Sequence, residues 1–202
     1  FYISQGYDVH RRFISDIGTG CSLYPEFISR ATIDKITTLL HEDMHDHNIE
    51  IWGKSLDRDL EETSANIFGK LGTIDYIGLY YGTDTQIYED AAKALNNALK
   101  YAEFLISTYN EVEAISMAKI SDAERARQQS AVFARASQRY SNITNISSIL
   151  NDLPYYRLLP FMYAVYKAQP DIGTFINVLK EMPETEYAAI GYLERFCSGC
   201  SY

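Results

Sequence analysis

The chain has 202 residues, of which 47% are hydrophobic and 22% are charged, and its formal net charge is -9 at pH 7. These values fit one globular domain with a substantial core and exclude a largely disordered chain. The net negative charge argues against nucleic acid or an anionic membrane as the main partner, because both repel an acidic surface, and it favours a cationic group on any substrate. No segment reaches the roughly 20 uninterrupted apolar residues that a membrane-spanning helix needs.

The apolar residues recur mainly at helical spacing and rarely alternate, so the sequence predicts a mainly α fold with little or no β-sheet. We expect one domain over residues 1–202, because no internal repeat, low-complexity tract or linker divides the chain. Residues 1–31 combine aromatic residues with glycine and proline and are predicted to form an irregular lead-in segment. The chain begins at Phe1 and lacks a signal-peptide pattern, which indicates a processed or trimmed product. The sequence leaves the localisation open, and one interpretation is that the protein is exported or periplasmic and that its targeting segment has been removed.

Two helices, which carry the predicted metal site, are expected within residues 32–72. Gly53 provides a stop beyond the first helix, and the second helix is expected to start near Asp57 and to end by Gly72. An aromatic connection is expected over residues 76–82. One face of the first helix carries apolar residues at intervals of three or four: Ile33, Ile36, Leu40 and Met44.

A helical hairpin is predicted over residues 84–140, because both halves contain long runs of helix-forming residues. The sequence Ser121-Asp122-Ala123-Glu124 is a capping box that opens the second helix of this hairpin. Residues 143–202 are predicted to form shorter helices, since proline suits the first turn of a helix but breaks its interior. Four prolines punctuate this region: Pro154, Pro160, Pro170 and Pro183.

The end of the first predicted helix reads LLHEDMHDH, which places three of the chain's four histidines among carboxylates. Residues four apart lie on the same side of an α-helix, so His41 and His45 can direct two imidazole nitrogens at one metal ion. Glu42 can take a proton from water beside that ion, as the glutamate does in H-E-x-x-H metallopeptidases. Chance produces this motif in under roughly one in a hundred chains with so few histidines, so the pattern favours a metal site over a solvated helix face.

A third protein ligand is expected, because catalytic zinc takes three of them and keeps its fourth position for water. The sequence Glu61-Glu62-Thr63-Ser64-Ala65 lies one helix downstream, near enough for a helix-turn-helix to bring a carboxylate over the ion. Glu62 is the predicted ligand, since Glu62 and Ala65 form an E-x-x-A pattern. Glu61 or Asp46 could bind a free amino group of the substrate, with an ordinary solvated acidic face as the alternative.

Together, H-E-x-x-H on one helix and E-x-x-A on the next resemble the gluzincin clan of zinc metallopeptidases. The resemblance implies a zincin-like helical domain with a metal-binding helix and a following glutamate-bearing helix. It also implies that His41, His45 and Glu62 bind Zn2+. Glu42 would then activate the water that attacks a peptide carbonyl.

The order of the later features is similar to a bacterial family of predicted aminopeptidases. The similarity lies in the basic helix that starts with residues 121–127 and in the segment 155–161. Hydrolysis also needs a donor for the oxyanion that forms at the carbonyl. By its place before Pro160, Tyr155 resembles the family's candidate for that donor, and Tyr156 is the next candidate. Ordinary aromatic packing in the core is the alternative for both tyrosines.

Asp43 departs from the zincin pattern, and Asp46 and His47 make the far end of the helix unusually polar. The position after Glu42 is usually a large apolar residue in zincin helices, but here it is Asp43. We expect Asp43 to point away from the ion, either at the surface or behind the ligands. His47 lies off the metal-facing side of the helix and is predicted to be solvated.

These patterns support one leading hypothesis and two alternatives. The leading hypothesis is a zinc-dependent peptide hydrolase that acts on peptides or proteins through metal-activated water, with aminopeptidase and endopeptidase both open. The first alternative is a non-catalytic helical interaction module that retains a structural or vestigial metal site, which the polar Asp43 and the charged helices of residues 84–140 would suit. The second alternative is a metal-dependent hydrolase of another amide, which would share every ligand.

Overall fold

The computed structural model describes residues 31–197, and these residues are mainly helical without any β-strand. The predicted mainly α class is confirmed, whereas the irregular segment predicted for residues 1–31 lies outside the described residues except for Ala31. A π-helix, His47–Ile51, continues the first helix, and a 3-10 helix, Glu194–Phe196, follows the last. The α-helices are α1 (Thr32–Asp46), α2 (Arg58–Tyr81), α3 (Gln86–Met117), α4 (Asp122–Arg139), α5 (Ile146–Tyr156), α6 (Leu159–Lys167), α7 (Ile172–Glu181) and α8 (Glu186–Leu193).

Helix α2 is longer than the sequence predicts. Its start agrees with the prediction, since Asp57 is the N-cap residue, but the helix extends to Tyr81. The predicted end by Gly72 and the predicted aromatic connection over residues 76–82 are therefore wrong. The helix stops at Gly82, whose φ of 92° lies in a region that glycine adopts without steric cost.

The glycines within α2 allow α1 to approach closely. A Cβ atom on Gly69 would lie 2.7 Å from the carbonyl oxygen of Thr37, and one on Gly72 would lie 2.9 Å from Cδ1 of Leu40. Both distances are shorter than van der Waals contact. At Gly69 the obstacle is backbone, so a larger residue would push the two helices apart, whereas at Gly72 the end of the Leu40 side chain would have to move. The hydroxyls of Thr37 and Thr73 lie 2.9 Å apart in the same contact. Glycine at these positions therefore reflects helix packing rather than a helix end.

The predicted helical hairpin is confirmed by α3 and α4, which are joined by residues 118–121 and pack on each other. The Ser121 side chain accepts a hydrogen bond from the backbone N–H of Glu124, so Ser121 caps α4 as predicted. An ion pair between Arg135 and Glu111, with nitrogen and oxygen 2.6 Å apart, links the two helices at their surface.

Three of the four prolines lie in a first turn or between helices, but Pro154 lies inside α5. This position contradicts the expectation that each proline interrupts the helices here. A proline inside a helix gives up one backbone hydrogen bond, and Pro154 does so in the last turn of α5. The carbonyl of Pro154 also accepts a hydrogen bond from the Thr63 hydroxyl over 2.8 Å, which ties α5 to α2.

The larger apolar core lies where α2 meets α6, α7 and α8. A smaller apolar cluster joins α3, α4 and α5. Together they hold α5 against α2 and α3, and so place the end of α5 near the histidines of α1. None of the helices within residues 31–197 has the length and apolar content to cross a lipid bilayer. Fully buried side chains of the larger core include Leu60, Ile67, Met162, Phe175 and Leu193.

Candidate metal centre

Two imidazoles face each other one turn apart on α1. The Nε2 atoms of His41 and His45 are 3.2 Å apart, and the ring centroids are 4.8 Å apart in an edge-to-face arrangement. Both side chains are largely buried, with 16% of their surface exposed. The spacing of four residues on a regular helix is sufficient to produce this arrangement.

Glu62, at the start of α2, brings a carboxylate to the same point. Its Oε2 atom is 3.6 Å from Nε2 of His41 and 3.6 Å from Nε2 of His45. Tetrahedral ligands at about 2.0–2.2 Å from zinc lie roughly 3.3–3.6 Å from one another. The three atoms therefore have the spacing of zinc ligands. Among residues 31–197, His41, His45 and Glu62 are the group of three side chains that could hold a metal ion, and we call them the metal centre.

The Oε2 atom of Glu62 is buried and has no hydrogen-bond partner among the described residues. Its separation of 3.6 Å from each imidazole nitrogen is too long for a hydrogen bond. Leaving a buried acceptor without a donor costs about 1–3 kcal/mol, and more for a charged group. A cation between the three atoms would remove that cost, so this set of two imidazoles and one carboxylate fits Zn2+.

The charges of the metal centre favour an ionised Glu62. Burial raises the pKa of Glu62, but the adjacent imidazoles of His41 and His45 together lower it more strongly, to about 2. Burial lowers the pKa of His45, whereas the carboxylates of Glu62, Glu61 and Glu42 raise it, and the net pKa is above its ordinary value. A metal ion that bound here at acidic pH would therefore have to displace a proton from His45.

Glu61 lies behind His45. Its Oε1 atom is 3.2 Å from Nδ1 of His45, so the ring can donate its Nδ1 proton to Glu61 and leave the Nε2 lone pair for a metal. Glu61 is not among the described residues that line the adjoining cleft. This placement gives Glu61 a role in orienting His45 that the sequence analysis missed, and its binding to a substrate amino group stays a prediction.

A cleft of about 530 Å3 adjoins the metal centre, and His41 and Glu42 form part of its wall. Glu42 is one step around α1 from His41 and stays outside the ligand group. The volume is in the range of roughly 300–1,000 Å3 that is usual for small-molecule sites. The cleft is therefore the candidate substrate site.

Tyr155 approaches the metal centre from α5. Its ring stacks on the imidazole of His41, with centroids 6.1 Å apart and an interplanar angle of 24°, and it lines the cleft together with Tyr156. Nδ2 of Asn66 donates a hydrogen bond to the carbonyl of Tyr155 over 2.7 Å, close to the bond between Thr63 and Pro154. Both donors lie within one turn of Glu62. The sequence analysis missed this link between α2 and α5, although polar residues so close to a predicted ligand were a signal.

Asp43 and His47 lie away from the ligand group, as predicted. Asp43 is exposed. Nδ1 of His47 lies 2.9 Å from the carbonyl oxygen of Asp43 and 3.6 Å from its Oδ2 atom. The His47 ring also packs edge-on against Trp52, with centroids 6.0 Å apart. These contacts hold His47 off the metal-facing side of α1.

Another polar group on the cleft wall consists of Tyr101, Asn142 and Asp152. Tyr101 and Asn142 are 41 positions apart in the chain, and Tyr101 and Asp152 are 51 apart. The sequence analysis missed this group, because no local pattern joins residues that only the tertiary fold brings together.

Comparison of the chain with protein-family models, with curated proteins and with solved structures finds no match. The likeness of the two motifs to the gluzincin clan therefore stays a resemblance. The function of the protein has to be inferred from the geometry of the metal centre and its cleft.

Proposed function

We propose that the protein is a zinc-dependent peptide hydrolase that uses metal-activated water. The observation that carries the proposal is the convergence of Nε2 of His41, Nε2 of His45 and the unpartnered Oε2 of Glu62. Catalytic zinc usually has three protein ligands, whereas structural zinc is enclosed by four. The adjoining cleft offers space for a substrate beside these three ligands.

Four residues have the task of holding and orienting the ion. His41, His45 and Glu62 are the ligands. Glu61 accepts a hydrogen bond from Nδ1 of His45 and so fixes the orientation of the ring that binds the ion. A zinc ion, when bound, polarises the scissile carbonyl and lowers the pKa of water. This division of roles leaves the cleft-facing residues for the proton transfers.

Glu42 and Tyr155, which both line the cleft, have the chemical tasks. The Glu42 carboxylate accepts a proton from the attacking water and passes it to the departing amine. The Tyr155 hydroxyl donates a hydrogen bond to the oxyanion that develops at the carbonyl. The hydrogen bond from Asn66 to the Tyr155 carbonyl supports this role, because it fixes the backbone that carries the phenol.

The test combines metal analysis with hydrolysis of a quenched fluorescent peptide library. Glu42→Gln removes the proposed proton acceptor and keeps the size of the side chain, while Glu50→Gln removes the same charge from an exposed site on the π-helix. We expect about one zinc ion per chain in the wild type and in both variants. We expect Glu42→Gln to lower kcat by roughly 10²- to 10⁴-fold, the usual contribution of a general base, and Glu50→Gln to leave it unchanged.

Each alternative has its own result in this test. A protein that binds zinc but cleaves no peptide in the library would be a non-catalytic module or a hydrolase of another amide, and panels of non-peptide amides would separate these two. A purified protein that binds no zinc would overturn the proposal. Full activity in the Glu42→Gln variant would overturn the role of Glu42.

A further inference from the structure

Tyr101, Asn142 and Asp152 form a hydrogen-bonded group on the wall of the cleft. The Tyr101 hydroxyl donates to Oδ2 of Asp152 over 2.5 Å. Nδ2 of Asn142 donates to the same oxygen over 3.1 Å and to the Tyr101 hydroxyl over 2.7 Å. The three residues come from α3, the connection after α4, and α5, so the fold holds the carboxylate in one orientation.

Asp152 keeps capacity for a further donor. A carboxylate has about four lone-pair positions. Tyr101 and Asn142 donate to Oδ2, and Nδ2 of Asn151 donates to Oδ1 over 3.0 Å. Within the part of the chain that the structure describes, no lysine, arginine or histidine forms an ion pair with Asp152. One acceptor position and the negative charge of Asp152 are therefore left for a ligand.

The neighbouring phenol strengthens this assignment of charge. Burial raises the pKa of Tyr101, and its hydrogen bond to Asp152 raises the pKa further. Tyr101 therefore keeps its proton and acts as a donor to Asp152. The phenol therefore adds no charge of its own to the group.

Aromatic rings line the cleft around this carboxylate. The Tyr101 ring lies edge-to-face against Tyr140 and against Tyr156, with centroids 4.9 Å apart in each case. Tyrosine faces attract organic cations, and the guanidinium of Arg139 already lies 5.6 Å from the Tyr140 centroid. Arg139 itself is not part of the cleft lining, and no lysine or arginine is found among the described residues that are. The lining contributed by residues 31–197 thus combines tyrosine rings and carboxylates without a lysine or an arginine.

We propose that Asp152 and the surrounding tyrosines bind a cationic group of the substrate, either an ammonium or a guanidinium. The group could belong to a lysine or arginine side chain or to a free amino terminus. This inference rests on the proposed function for the identity of the substrate as a peptide, but binding of the cation does not depend on zinc. The net charge of -9 would also draw cationic ligands toward the protein. A peptide bound in this way shares the cleft with His41 and Glu42.

Calorimetric titration of the metal-free protein with three short peptides distinguishes the two sources of the cation. Acetyl-Gly-Arg-Gly-amide carries a side-chain cation only, Gly-citrulline-Gly-amide carries an amino terminus only, and acetyl-Gly-citrulline-Gly-amide carries no cation. The titrations use the wild type, Asp152→Asn and the control Glu103→Gln, which removes one negative charge from an exposed position on α3. Circular dichroism shows whether each variant is folded.

We expect the wild type and Glu103→Gln to bind at least one cationic peptide about 10-fold or more tightly than the neutral peptide, since charge-assisted hydrogen bonds are the stronger kind. Folded Asp152→Asn should lose this preference. The peptide that is preferred identifies the source of the cation. In the wild type, nuclear Overhauser contacts should join the bound cationic group to tyrosine ring protons, and this measurement remains decisive if Asp152→Asn does not fold.

Equal binding of all three peptides by the wild type would overturn the proposal, as would a cation preference that survives in folded Asp152→Asn. Hydrolysis plays no part in these titrations. Cation binding by a protein that cleaves no peptide would therefore reject the proposed function and keep the cation subsite. Peptide hydrolysis without any preference for a cationic peptide would keep the proposed function and reject the cation subsite.

Discussion

Helix α2 contributes to two regions that are built from opposite kinds of contact. At Glu62 it buries a carboxylate oxygen that has no hydrogen-bond partner within residues 31–197, whereas at Ile67 it buries an apolar side chain completely within the larger core. The core stabilises the fold because apolar surface leaves water. The metal centre instead buries a carboxylate beside two imidazoles, and one of its oxygens has no hydrogen-bond donor among the described residues. Global stability and metal affinity should therefore respond to different substitutions.

Phe175→Ala tests the core side of this comparison. Phe175 is fully buried in the larger core, and such truncations usually lower the free energy of unfolding by about 3–5 kcal/mol. Urea denaturation with and without zinc measures the effect. We expect the metal-free stability to fall by this amount, while the additional stability conferred by zinc stays unchanged.

Tyr187→Ala is the matched control for Phe175→Ala, because Tyr187 is 92% exposed on α8. Its free energy of unfolding should stay within about 0.5 kcal/mol of the wild-type value. If Phe175→Ala also abolished the zinc-dependent increment in the folded protein, the core and the metal centre would be coupled and the comparison would fail.

Glu62→Gln tests the metal side. Loss of a residue behind a ligand typically weakens metal binding about 10- to 100-fold, so loss of a ligand should weaken it by roughly 100-fold or more. At a zinc concentration of about 100 times the wild-type Kd, zinc should add about 2.7 kcal/mol to the stability of the wild type and about 0.4 kcal/mol or less to that of the variant. Chelator competition gives the affinities, and urea denaturation gives the stabilities.

The exposed Glu103→Gln substitution on α3 serves as the charge-matched control and should keep the full zinc increment. An unchanged zinc affinity in Glu62→Gln would show that Glu62 is not a ligand. Since both stabilities are compared with and without metal in the same variant, any effect of Glu62 on the metal-free fold cancels.

The sequence predicts the two sides of this comparison unequally well. The pairing of His41 with His45 depends only on helical geometry, and the α3–α4 hairpin depends on local helix propensity and the Ser121 cap, so both can be read from a linear pattern. The choice of Glu62 needs the resemblance to the E-x-x-A pattern, because sequence alone cannot show that α2 returns to α1. The zincin-like architecture of the whole chain stays a prediction.

Other features depend on contacts between distant segments. Gly72 looks like a helix stop until the close approach of α1 to α2 is known. Pro154 looks like a helix breaker, and only the tertiary bond from Thr63 shows how its carbonyl is used. The role of the Asp152 carboxylate also depends on a distant residue, because Tyr101 on α3 donates a hydrogen bond to it. A linear pattern contains no information on these pairings.

Gly69→Ala tests how closely the metal centre depends on the packing of α1 against α2. The added methyl group would lie 2.7 Å from the Thr37 carbonyl oxygen and 3.3 Å from Cβ of His41. We expect a loss of about 1–3 kcal/mol in the free energy of unfolding, as is usual for overpacking, together with weaker zinc binding because His41 is displaced. Denaturation and chelator competition measure the two effects.

Gly191→Ala is the control for Gly69→Ala, because a Cβ atom at Gly191 on α8 would meet nothing within 4 Å. This substitution should stabilise the protein by about 0.4–1 kcal/mol, since alanine restricts the unfolded chain and favours a helix. Equal effects of the two substitutions would show that α1 and α2 are not closely packed at Gly69.

Glu61→Gln separates the orientation of a ligand from ligation itself. The carboxylate of Glu61 accepts a hydrogen bond from Nδ1 of His45, so its loss should weaken zinc binding by about 10- to 100-fold at neutral pH, less than the loss of Glu62.

Glu61 also helps to raise the pKa of His45, and a raised pKa makes protons compete with zinc from a higher pH. Without Glu61 the pKa of His45 should fall, and the loss of zinc on acidification should begin at a lower pH. Zinc affinity measured across a pH series should therefore be lower for Glu61→Gln than for the wild type at neutral pH, and the affinity of the variant should begin to fall at a more acidic pH. An onset at the same pH as in the wild type would mean that Glu61 does not act on His45.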